Sequence, residues 1–306
     1  MVSLDWTGYP PAGFTGGAVS VGNFDGVHRG HLALVAATRR QADRVGGPAV
    51  VMSFDPPPHQ VLFGTPPRPP LTTLADRSAL LHAAGAEHVV ILRTSPALLA
   101  LSPEAFFEDV LVRQLGAKAI IEGYNFRFGR GRAGDTNLLR ELCTNAGLAF
   151  EEVSPLELGG EAVSSSRVRS ALLAGDVAGA AELLDRCYRI SGTVITGAKR
   201  GRTIGFPTAN LGEVPMVLPG NGVYAVRVIV DGVQYPAAAN VGPNPTFGED
   251  ARKIEVHLID FAGDLYGKKL AADFVAKLRD TRPFAGVPEL IEQLNRDIAD
   301  ARRVLA

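Results

Sequence analysis

The sequence predicts two domains: a Rossmann-like α/β domain on a mostly parallel sheet, then an antiparallel β-barrel with a terminal helix. Up to about residue 186, apolar runs of strand length alternate with helix-like segments, which is typical of a parallel sheet covered on both faces. From residue 188 onward, β-rich runs follow one another closely, which favours an antiparallel barrel. The chain has 306 residues, enough for two domains of about 150 residues each. We expect the domains to span residues 1–186 and 187–306.

Five short apolar runs are expected to form the parallel sheet, at residues 19–21, 49–54, 88–92, 117–121 and 150–153. Helices are predicted between and after them where a capping residue precedes apolar residues at helical spacing. These helices begin at Thr73, Ser102, Asp135 and Ser164. The second of them is expected to run to about residue 115, and a further short helix covers 180–184. Segment 55–59 is expected to be irregular, because consecutive prolines cannot donate to a strand ladder.

Five β-rich runs are expected to form the barrel, at residues 189–196, 223–230, 233–239, 254–261 and 270–278. The dipeptide Asp231-Gly232 between the second and third runs is a strong hairpin signal. A final helix is predicted from Pro288 to about residue 304, because its apolar residues recur at a spacing that places them on one face.

Composition narrows the class of protein. The formal net charge is −1, so no overall field favours nucleic acid or an anionic membrane surface. The two cysteines, Cys143 and Cys187, lie far apart without metal-ligand spacing, which fits a reducing cytosol. The sequence has no run of about 18 apolar residues and no signal-like N-terminus. We therefore expect a cytoplasmic protein that binds neither nucleic acid nor a membrane.

The first chemical motif lies where the strand at residues 19–21 passes through a glycine loop into a helix. Gly22 and Gly26 bracket the loop, and His28 and His31 follow at the helix start. The first N–H groups of a helix are unpaired and carry partial positive charge, so a glycine loop lets the backbone approach a phosphate closely. A lone histidine there is most often a partly buried structural residue. Two histidines at one helix end instead indicate a nucleoside triphosphate site, because both imidazoles can donate to phosphate oxygens.

The pattern G-x-F-D-G-x-H-x-G-H over residues 22–31 resembles the nucleotidyltransferase motif of adenylyltransferases and class I aminoacyl-tRNA synthetases. With Asn23 included, it resembles the N-terminal half of bacterial FAD synthetases. The resemblance implies that His28 and His31 act in catalysis. It further implies that the nucleotide is bound by Gly22, Phe24, Asp25, Gly26 and Gly30. Many relatives have F-D-P-H-P after the second strand, whereas here Pro57 takes the histidine position and His59 follows two residues later.

The loop after residue 121 combines aromatic residues, glycines and three arginines. Taken alone it fits a solvated basic loop. Its place at a strand end favours a site where a ring stacks on aromatic residues and a phosphate pairs with arginine. The loop resembles the Y-N-F-x-F-G segment of the FAD synthetases. That resemblance implies a catalytic Asn125, with Tyr124 and Arg127 binding the nucleotide.

Residues 164–169 open another helix with three serines followed by arginines. Serines at a helix start are normally caps, although hydroxyls and an arginine at a positive helix end can also hold an anion. The segment resembles the S-S-T-x-x-R motif of the same family, with Ser166 in place of threonine. The resemblance implies triphosphate contacts by Ser164, Ser165 and Arg169.

The second chemical motif, G-x-x-x-G-R-x-x-G-x-P-T-A-N, occupies residues 197–210. Its glycines permit a backbone that wraps closely around phosphates, and Thr208 and Asn210 offer oxygen ligands hard enough for Mg²⁺. A basic glycine loop alone is usually a solvated turn, but the full string resembles the riboflavin kinases, in which P-T-A-N coordinates magnesium and phosphates. The resemblance implies binding roles for Gly197, Lys199, Gly201, Arg202, Gly205 and Pro207.

Glu255 and His257 alternate with the apolar residues Ile254 and Val256 and should share one strand face. Outward strand residues are usually polar without further function. Similarity to the E-x-H segment of riboflavin kinases, however, implies that Glu255 is the base for the substrate hydroxyl, a role that kinases of alcohols need.

Two more segments resemble parts of the riboflavin kinases that lie by the flavin. They are residues 240–248, which begin with Asn240, and residues 278–284, which include Arg279. The resemblances together cover nearly the whole chain. They imply ATP-dependent phosphorylation of riboflavin to FMN, giving ADP, and adenylylation of FMN to FAD with release of pyrophosphate. They also imply Mg²⁺ as the cofactor.

Two other interpretations of the sequence remain open. In one, the first domain adenylylates a different mononucleotide and the barrel only recognises the substrate. In the other, the chain is a non-catalytic protein that binds flavin as a signal, although both motifs retain their reactive residues.

Overall fold

The computed structural model describes residues 1–64, 68–197, 200–244 and 249–306. Its contacts divide the chain into two compact units. The first consists of Met1–Arg68 with Thr72–Ser164, and the second of Pro69–Leu71 with Ser165–Ala306. The first unit is an α/β unit on a parallel sheet, and the second is a closed antiparallel barrel with a terminal helix, which confirms the predicted fold class.

The sheet of the first unit consists of β1 (Val2–Leu4), β2 (Ala18–Val21), β3 (Ala49–Asp55), β4 (His88–Arg93), β5 (Ala119–Gly123) and β6 (Ala149–Val153). All of its pairs are parallel, and the spatial order is β1-β4-β3-β2-β5-β6. The four central strands are almost wholly buried. Strands covered on both faces are continuous apolar runs in the sequence, which is why they could be predicted.

The helices of this unit are α1 (Arg29–Val45), α2 (Pro58–Phe63), α3 (Leu74–Ala83), α4 (Pro96–Leu99), α5 (Pro103–Ala105) and α6 (Thr136–Ala146). A π-helix, Phe106–Gln114, continues α5, and a 3-10 turn, Arg130–Arg132, precedes α6. The short strands β7 (Glu157–Leu158) and β8 (Glu161–Ala162) form a separate antiparallel pair. Thr73, Ser102 and Asp135 cap their helices as predicted, each accepting a backbone N–H of the first turn.

The first unit differs from the sequence prediction in several places, and α4, β7 and β8 are among the elements that were not predicted. β1 is an additional edge strand that pairs with β4, and its three residues are too few to show a period. Segment 55–59 is not wholly irregular, because α2 starts at Pro58, where a fixed φ and a missing N–H suit a first helical turn. The helix expected from Ser102 to about residue 115 is α-helical for one turn and then π-helical, which apolar spacing does not distinguish.

The barrel of the second unit consists of β9 (Tyr188–Ile195), β10 (Ala209–Gly212), β11 (Gly222–Val230), β12 (Val233–Asn244), β13 (Glu249–Leu258) and β14 (Lys269–Arg279). The strands close in the order β10-β13-β12-β11-β14-β9, and every pair is antiparallel. The helices are α7 (Ser165–Ala174), α8 (Val177–Leu184), α9 (Arg200–Thr203) and α10 (Val287–Leu305). Ala301 of α10 packs on Ala225 and Ile259 outside the barrel.

Sequence patterning missed one barrel strand, β10, because it has only four residues and begins inside the glycine-rich motif. The short helix expected at residues 180–184 begins earlier, at Val177, where Asp176 accepts the Gly179 N–H. The contacts group α7 and α8 with the barrel in the second unit, and the boundary at residue 186 between the two activities stays a prediction.

None of the helices in the described ranges combines the length and the apolar character that crossing a membrane requires.

Candidate active sites

The first candidate site lies at the carboxyl edge of the parallel sheet, where β2 and β5 separate. The two strands pair only at Ala18 and Val19 of β2. Beyond that point, Oε1 of Glu122 accepts the Val21 N–H at 2.6 Å. β3 and β4 lie on the far side of β2, and β6 lies on the far side of β5. Open α/β sheets bind their ligands at such a reversal of strand order.

Glu122 is a buried acid at the floor of this edge, only 1% exposed. Burial raises the pKa of the Glu122 carboxyl well above its usual value, and the hydrogen bond from Val21 acts in the opposite direction. Its oxygen occupies the place of a ladder acceptor where the two strands diverge. No sequence pattern pointed to this role, because it depends on the register of β2 against β5.

We expect Glu122→Gln to stabilise the first unit at neutral and alkaline pH. An unfolded glutamate has a pKa of about 4.3, so above that pH the unfolded chain has lost a proton that the folded protein still holds. The raised pKa therefore makes wild-type stability fall as the pH rises from the unfolded pKa to the folded one. Glutamine keeps an acceptor for Val21 and removes this dependence. Thermal unfolding should give a higher Tm for the variant at alkaline pH, and a gap that closes in acid. If the Tm values of the wild type and the variant differed by the same amount at every pH, the raised pKa assigned to Glu122 would be contradicted.

The loop between β2 and α1 holds a strained backbone among buried side chains. Phe24 and Val27 have φ values of 47° and 43°, although neither is glycine, and both are at most 1% exposed. Gly26, with φ of 84°, donates its N–H to the Thr72 hydroxyl at 3.2 Å. Backbone strain of this kind persists only where the surrounding contacts hold the unfavourable conformation in place. Such strain is most frequent at functional sites.

Asp25 of this loop has contacts that hold the loop in place. Its carboxylate accepts the Thr72 N–H at 3.3 Å and lies 3.5 Å from Nη2 of Arg77. Arg77 is buried and also donates to the Ser53 hydroxyl at 3.2 Å. Burial lowers the pKa of Arg77, while the carboxylates of Asp25 and Asp55 raise it. Thr72 and Arg77 were not predicted, because no local pattern relates them to residue 25.

The two histidines meet at the N-terminus of α1. His28 is the N-cap, and its Nδ1 accepts the His31 N–H at 3.4 Å. Their rings stack with centroids 3.7 Å apart, and the Phe24 ring lies 5.0 Å from that of His31. A Cβ at Gly30 would come within 3.1 Å of the His28 ring, so the glycine makes room for the imidazole. The structure thus brings four predicted residues together at the positive end of a helix.

The predicted residues after β5 follow at the same edge of the sheet, since β2 and β5 are neighbours. Tyr124 is 46% exposed, and Asn125 and Arg127 are exposed as well. Arg127 forms an ion pair of 3.1 Å with Asp135, the cap of α6. Gly22 starts the neighbouring loop, and its N–H donates to the Met52 carbonyl at 3.0 Å.

The serine-arginine motif falls on the division between the units. Ser164 ends the first unit, and Ser165 and Arg169 lie in α7 of the second. There Nη1 of Arg169 donates to the Pro69 carbonyl at 2.6 Å. The triphosphate role of these residues stays a prediction.

The second candidate site is a row of polar side chains across the outer face of the barrel. Asn240 of β12 pairs with Glu255 of β13, which in turn pairs with Asn210 of β10. On the other side, Val223 of β11 stands between Asn240 and Arg279 of β14. Directly opposed residues of antiparallel strands point to the same face. Four predicted residues from four separate segments therefore lie in one row, here called the polar row, in which the apolar Val223 separates Arg279 from Asn240, Glu255 and Asn210.

The orientation predicted for β13 agrees with its burial pattern. Ile254 and Val256 are 2% and 1% exposed, whereas Glu255 and His257 are half-buried. Nδ1 of His257 lies 2.8 Å from the Pro207 carbonyl oxygen. This contact joins the strand that carries Glu255 to the glycine motif.

The glycines of that motif lie where a side chain would collide with neighbouring groups. A Cβ at Gly197 would overlap the Asn210 amide, and a Cβ at Gly201 would overlap the Phe206 carbonyl. The same position at Gly201 would be 3.6 Å from the Thr208 hydroxyl oxygen. The absence of side chains thus lets the backbone at Gly197 approach the Asn210 amide, and the backbone at Gly201 approach the Phe206 carbonyl near Thr208.

Four further predictions concern the same motif and the loop after β12. Gly205 has φ of 90°, a conformation that favours glycine, and the Arg202 side chain is exposed. Lys199 lies outside the described residues, as do residues 245–248 of the predicted substrate loop.

Comparisons with known proteins match both halves of the chain. Residues 12–167 match the FAD synthetase family model, and residues 184–305 match the riboflavin kinase family model. A crystal structure titled macrolide-efflux protein from Streptococcus pneumoniae has a TM-score of 0.89 and 30% identity over 99% of both chains. Its title differs from the names of the family models and of the curated relatives below.

Two curated relatives carry one bifunctional name. The riboflavin kinase/FMN adenylyltransferase of Pseudomonas fluorescens is 40% identical over 293 residues, covering 95% of this chain and 94% of that protein. The protein of the same name from Escherichia coli K12 is 39% identical over 289 residues, covering 94% and 92%. Because both family models and these full-length relatives agree, the chain belongs to the family of bifunctional riboflavin kinases/FMN adenylyltransferases.

Proposed function

We propose that this protein makes FAD from riboflavin in two ATP-dependent steps at two separate sites. Residues 187–306 phosphorylate riboflavin to FMN, and residues 1–186 adenylylate FMN to FAD with release of pyrophosphate. One observation carries the proposal: each unit has its own polar constellation, and each constellation lies within the family match for the corresponding activity. The first step consumes the γ-phosphate of ATP, and the second consumes the AMP moiety.

The polar row supports a kinase reaction with Glu255 as the base. Glu255 stands between the uncharged amides of Asn240 and Asn210. Its carboxylate takes the proton of the terminal riboflavin hydroxyl as that oxygen attacks the γ-phosphorus. The bond from the γ-phosphorus to the bridging oxygen breaks, and ADP leaves. The glycine motif, with Lys199 and Arg202, binds the ATP phosphates.

The residues of the glycine motif fit Mg²⁺. Among the described residues, no cluster of three or more histidine, cysteine, aspartate or glutamate side chains could hold a metal ion. A threonine and an asparagine oxygen within a glycine-rich motif suit Mg²⁺ instead, since this ion binds few protein oxygens and keeps water and substrate phosphates. We infer that Thr208 and Asn210 hold the ion, which when bound neutralises charge on the ATP phosphates.

We expect Gly197→Ala to lower riboflavin phosphorylation at least tenfold. The added Cβ would overlap the Asn210 amide and displace it from its place beside residue 197. The Mg²⁺ concentration for half-maximal kinase activity should rise as well. FMN adenylylation by the same protein is the internal control and should not change. A kinase with the wild-type Mg²⁺ dependence would overturn the metal assignment.

The first site supports adenylyl transfer without a strong base. The FMN phosphate is already mostly ionised near neutral pH. Its oxygen attacks the α-phosphorus of ATP, the bond to the bridging oxygen breaks, and pyrophosphate leaves. His28 and His31 at the positive end of α1 stabilise the charge that develops on the phosphates. Gly22, Gly26 and Gly30 let the backbone approach, while Asn125, Tyr124 and Arg127 contribute from the loop after β5.

A single assay tests the proposed function against its alternatives. Purified protein is incubated with riboflavin, ATP and Mg²⁺, and the flavins are separated by chromatography. The proposal predicts FMN followed by FAD. If the protein made FAD from added FMN but no FMN from riboflavin, it would be an adenylyltransferase whose barrel only recognises the substrate. Flavin binding without consumption of ATP would favour a non-catalytic flavin-binding protein.

A further inference from the structure

Asp297 of α10 is the one fully buried charged side chain that the described part of the barrel unit contains, at 2% exposure. Its carboxylate accepts two parallel hydrogen bonds from Arg279, Nε to Oδ1 and Nη2 to Oδ2, each 2.8 Å long. A third hydrogen bond comes from the Gln293 amide at 2.9 Å. The carboxylate is therefore held from two sides.

The guanidinium of Arg279 is equally constrained. Its remaining nitrogen, Nη1, donates to the Asp280 carbonyl at 3.0 Å. Its Cζ lies 5.6 Å from the centre of the Phe284 ring. All three nitrogens are thus engaged, and the plane of the group is fixed with respect to α10 and to residues 280–284.

Stability alone explains this pair poorly. Removing two charges from water is unfavourable, and a buried pair is often no better than packed apolar residues. A bidentate pair does supply a defined orientation. The exposed pair of Asp300 and Arg303, one turn further along α10, has a 2.7 Å contact but no such burial, and pairs of that kind contribute little.

The orientation matters because of where Arg279 stands. It ends β14 and belongs to the polar row that carries Glu255. β14 lies three strand positions from β13 around the closed barrel, a path of about 14 Å along the sheet at about 4.8 Å per spacing. Two strands therefore separate Arg279 from the place of phosphate transfer at Glu255. A flavin whose terminal hydroxyl lies at Glu255 would bring its far end to Arg279 by following the polar row around the barrel.

We propose that Asp297 is a positioning residue of the riboflavin kinase site, which acts by holding Arg279 and residues 280–284 at the end of the polar row. The inference rests on the proposed assignment of Arg279 and Glu255 to that site. It places the effect of Asp297 on riboflavin binding and not on phosphoryl transfer.

The first test compares Asp297→Asn with Asp300→Asn. Asparagine has nearly the same size, but it loses the charge and turns an NH₂ group towards Arg279. We expect Asp297→Asn to raise the KM for riboflavin at least tenfold, with kcat changed less than threefold and FMN adenylylation unchanged. Asp300→Asn should leave all three quantities at their wild-type values. A wild-type KM for Asp297→Asn would overturn the inference.

A second pair of variants separates positioning from a loss of folding. Arg279→Lys keeps a cation opposite the buried carboxylate and removes only the forked geometry, so the protein should fold and show a raised KM for riboflavin. In that background, Asp297→Asn should add little, because the orientation is already lost. Effects that multiply would overturn the inference, since they would mean that Asp297 acts independently of Arg279. A wild-type KM for Arg279→Lys would overturn the inference together with the assignment of Arg279. If Arg279→Lys raised the KM but Asp297→Asn left it at the wild-type value, the inference would be overturned while the assignment of Arg279 would stand.

Discussion

His28→Ala should abolish FAD formation from FMN and leave FMN formation from riboflavin intact. His28 is proposed to donate to the ATP phosphates, and its Nδ1 and ring also hold His31. Removal of one donor that stabilises transition-state charge costs about 100- to 1,000-fold in rate. We expect a loss at the upper end of that range, because His31 loses its support as well. Chromatography of flavins from separate incubations with FMN and with riboflavin measures both activities.

Two variants control for effects on folding. His28→Asn retains a side chain that can cap α1, whereas alanine costs about 1 kcal/mol of stability at such a position. The asparagine variant should therefore fold normally and still fail to make FAD. His59→Ala changes an exposed histidine of α2 that follows the altered F-D-P-P-P-H segment, and it should retain both activities. Loss of riboflavin phosphorylation in folded His28→Asn would contradict the two-site account.

Glu255→Gln should produce the opposite pattern. Glutamine keeps the size and polarity of the side chain between Asn240 and Asn210 but cannot take the riboflavin proton. General-base catalysis contributes about 100- to 10,000-fold, so FMN formation should fall by a factor in that range. FAD formation from supplied FMN should stay at the wild-type rate. Initial rates with each flavin, at saturating ATP, separate the two effects.

A carboxylate on the same barrel face supplies the matched control. Asp273 of β14 forms an ion pair of 2.6 Å with Arg189 and does not belong to the polar row. Asp273→Asn should therefore leave both activities unchanged. An equal loss of FMN formation in Asp273→Asn and Glu255→Gln would show that the assay reports the integrity of the barrel and not the base.

Much of the fold could be predicted because burial leaves a direct mark on the sequence. The central strands of the parallel sheet are apolar runs. In the barrel strand β13, buried and partly exposed residues alternate: Ile254 and Val256 are buried, whereas Glu255 and His257 lie on the outer face. β1 and β10 have three and four residues, too few for any period to show. Strands of that length are stabilised by pairing with distant partners, which a local pattern does not reveal.

In the candidate sites, too, residues within contiguous motifs could be predicted, whereas residues that depend on partners distant in sequence could not. His28, His31, Thr208 and Asn210 lie in contiguous motifs whose spacing made them recognisable. Glu122, Arg77 and Asp297 could not be found in this way, since each meets its partner through strand register or helix packing. For the polar row, sequence patterns named the individual residues, but only the register aligned them.

The central claim is that the chain holds two independent ATP sites, and complementation tests it most directly. Neither His28→Asn nor Glu255→Gln alone should convert riboflavin to FAD. A mixture of the two should do so, because FMN made by the intact kinase site of one protein reaches the intact adenylyltransferase site of the other. Absence of FAD from a mixture of the two folded variants, each still active in its remaining step, would contradict the account.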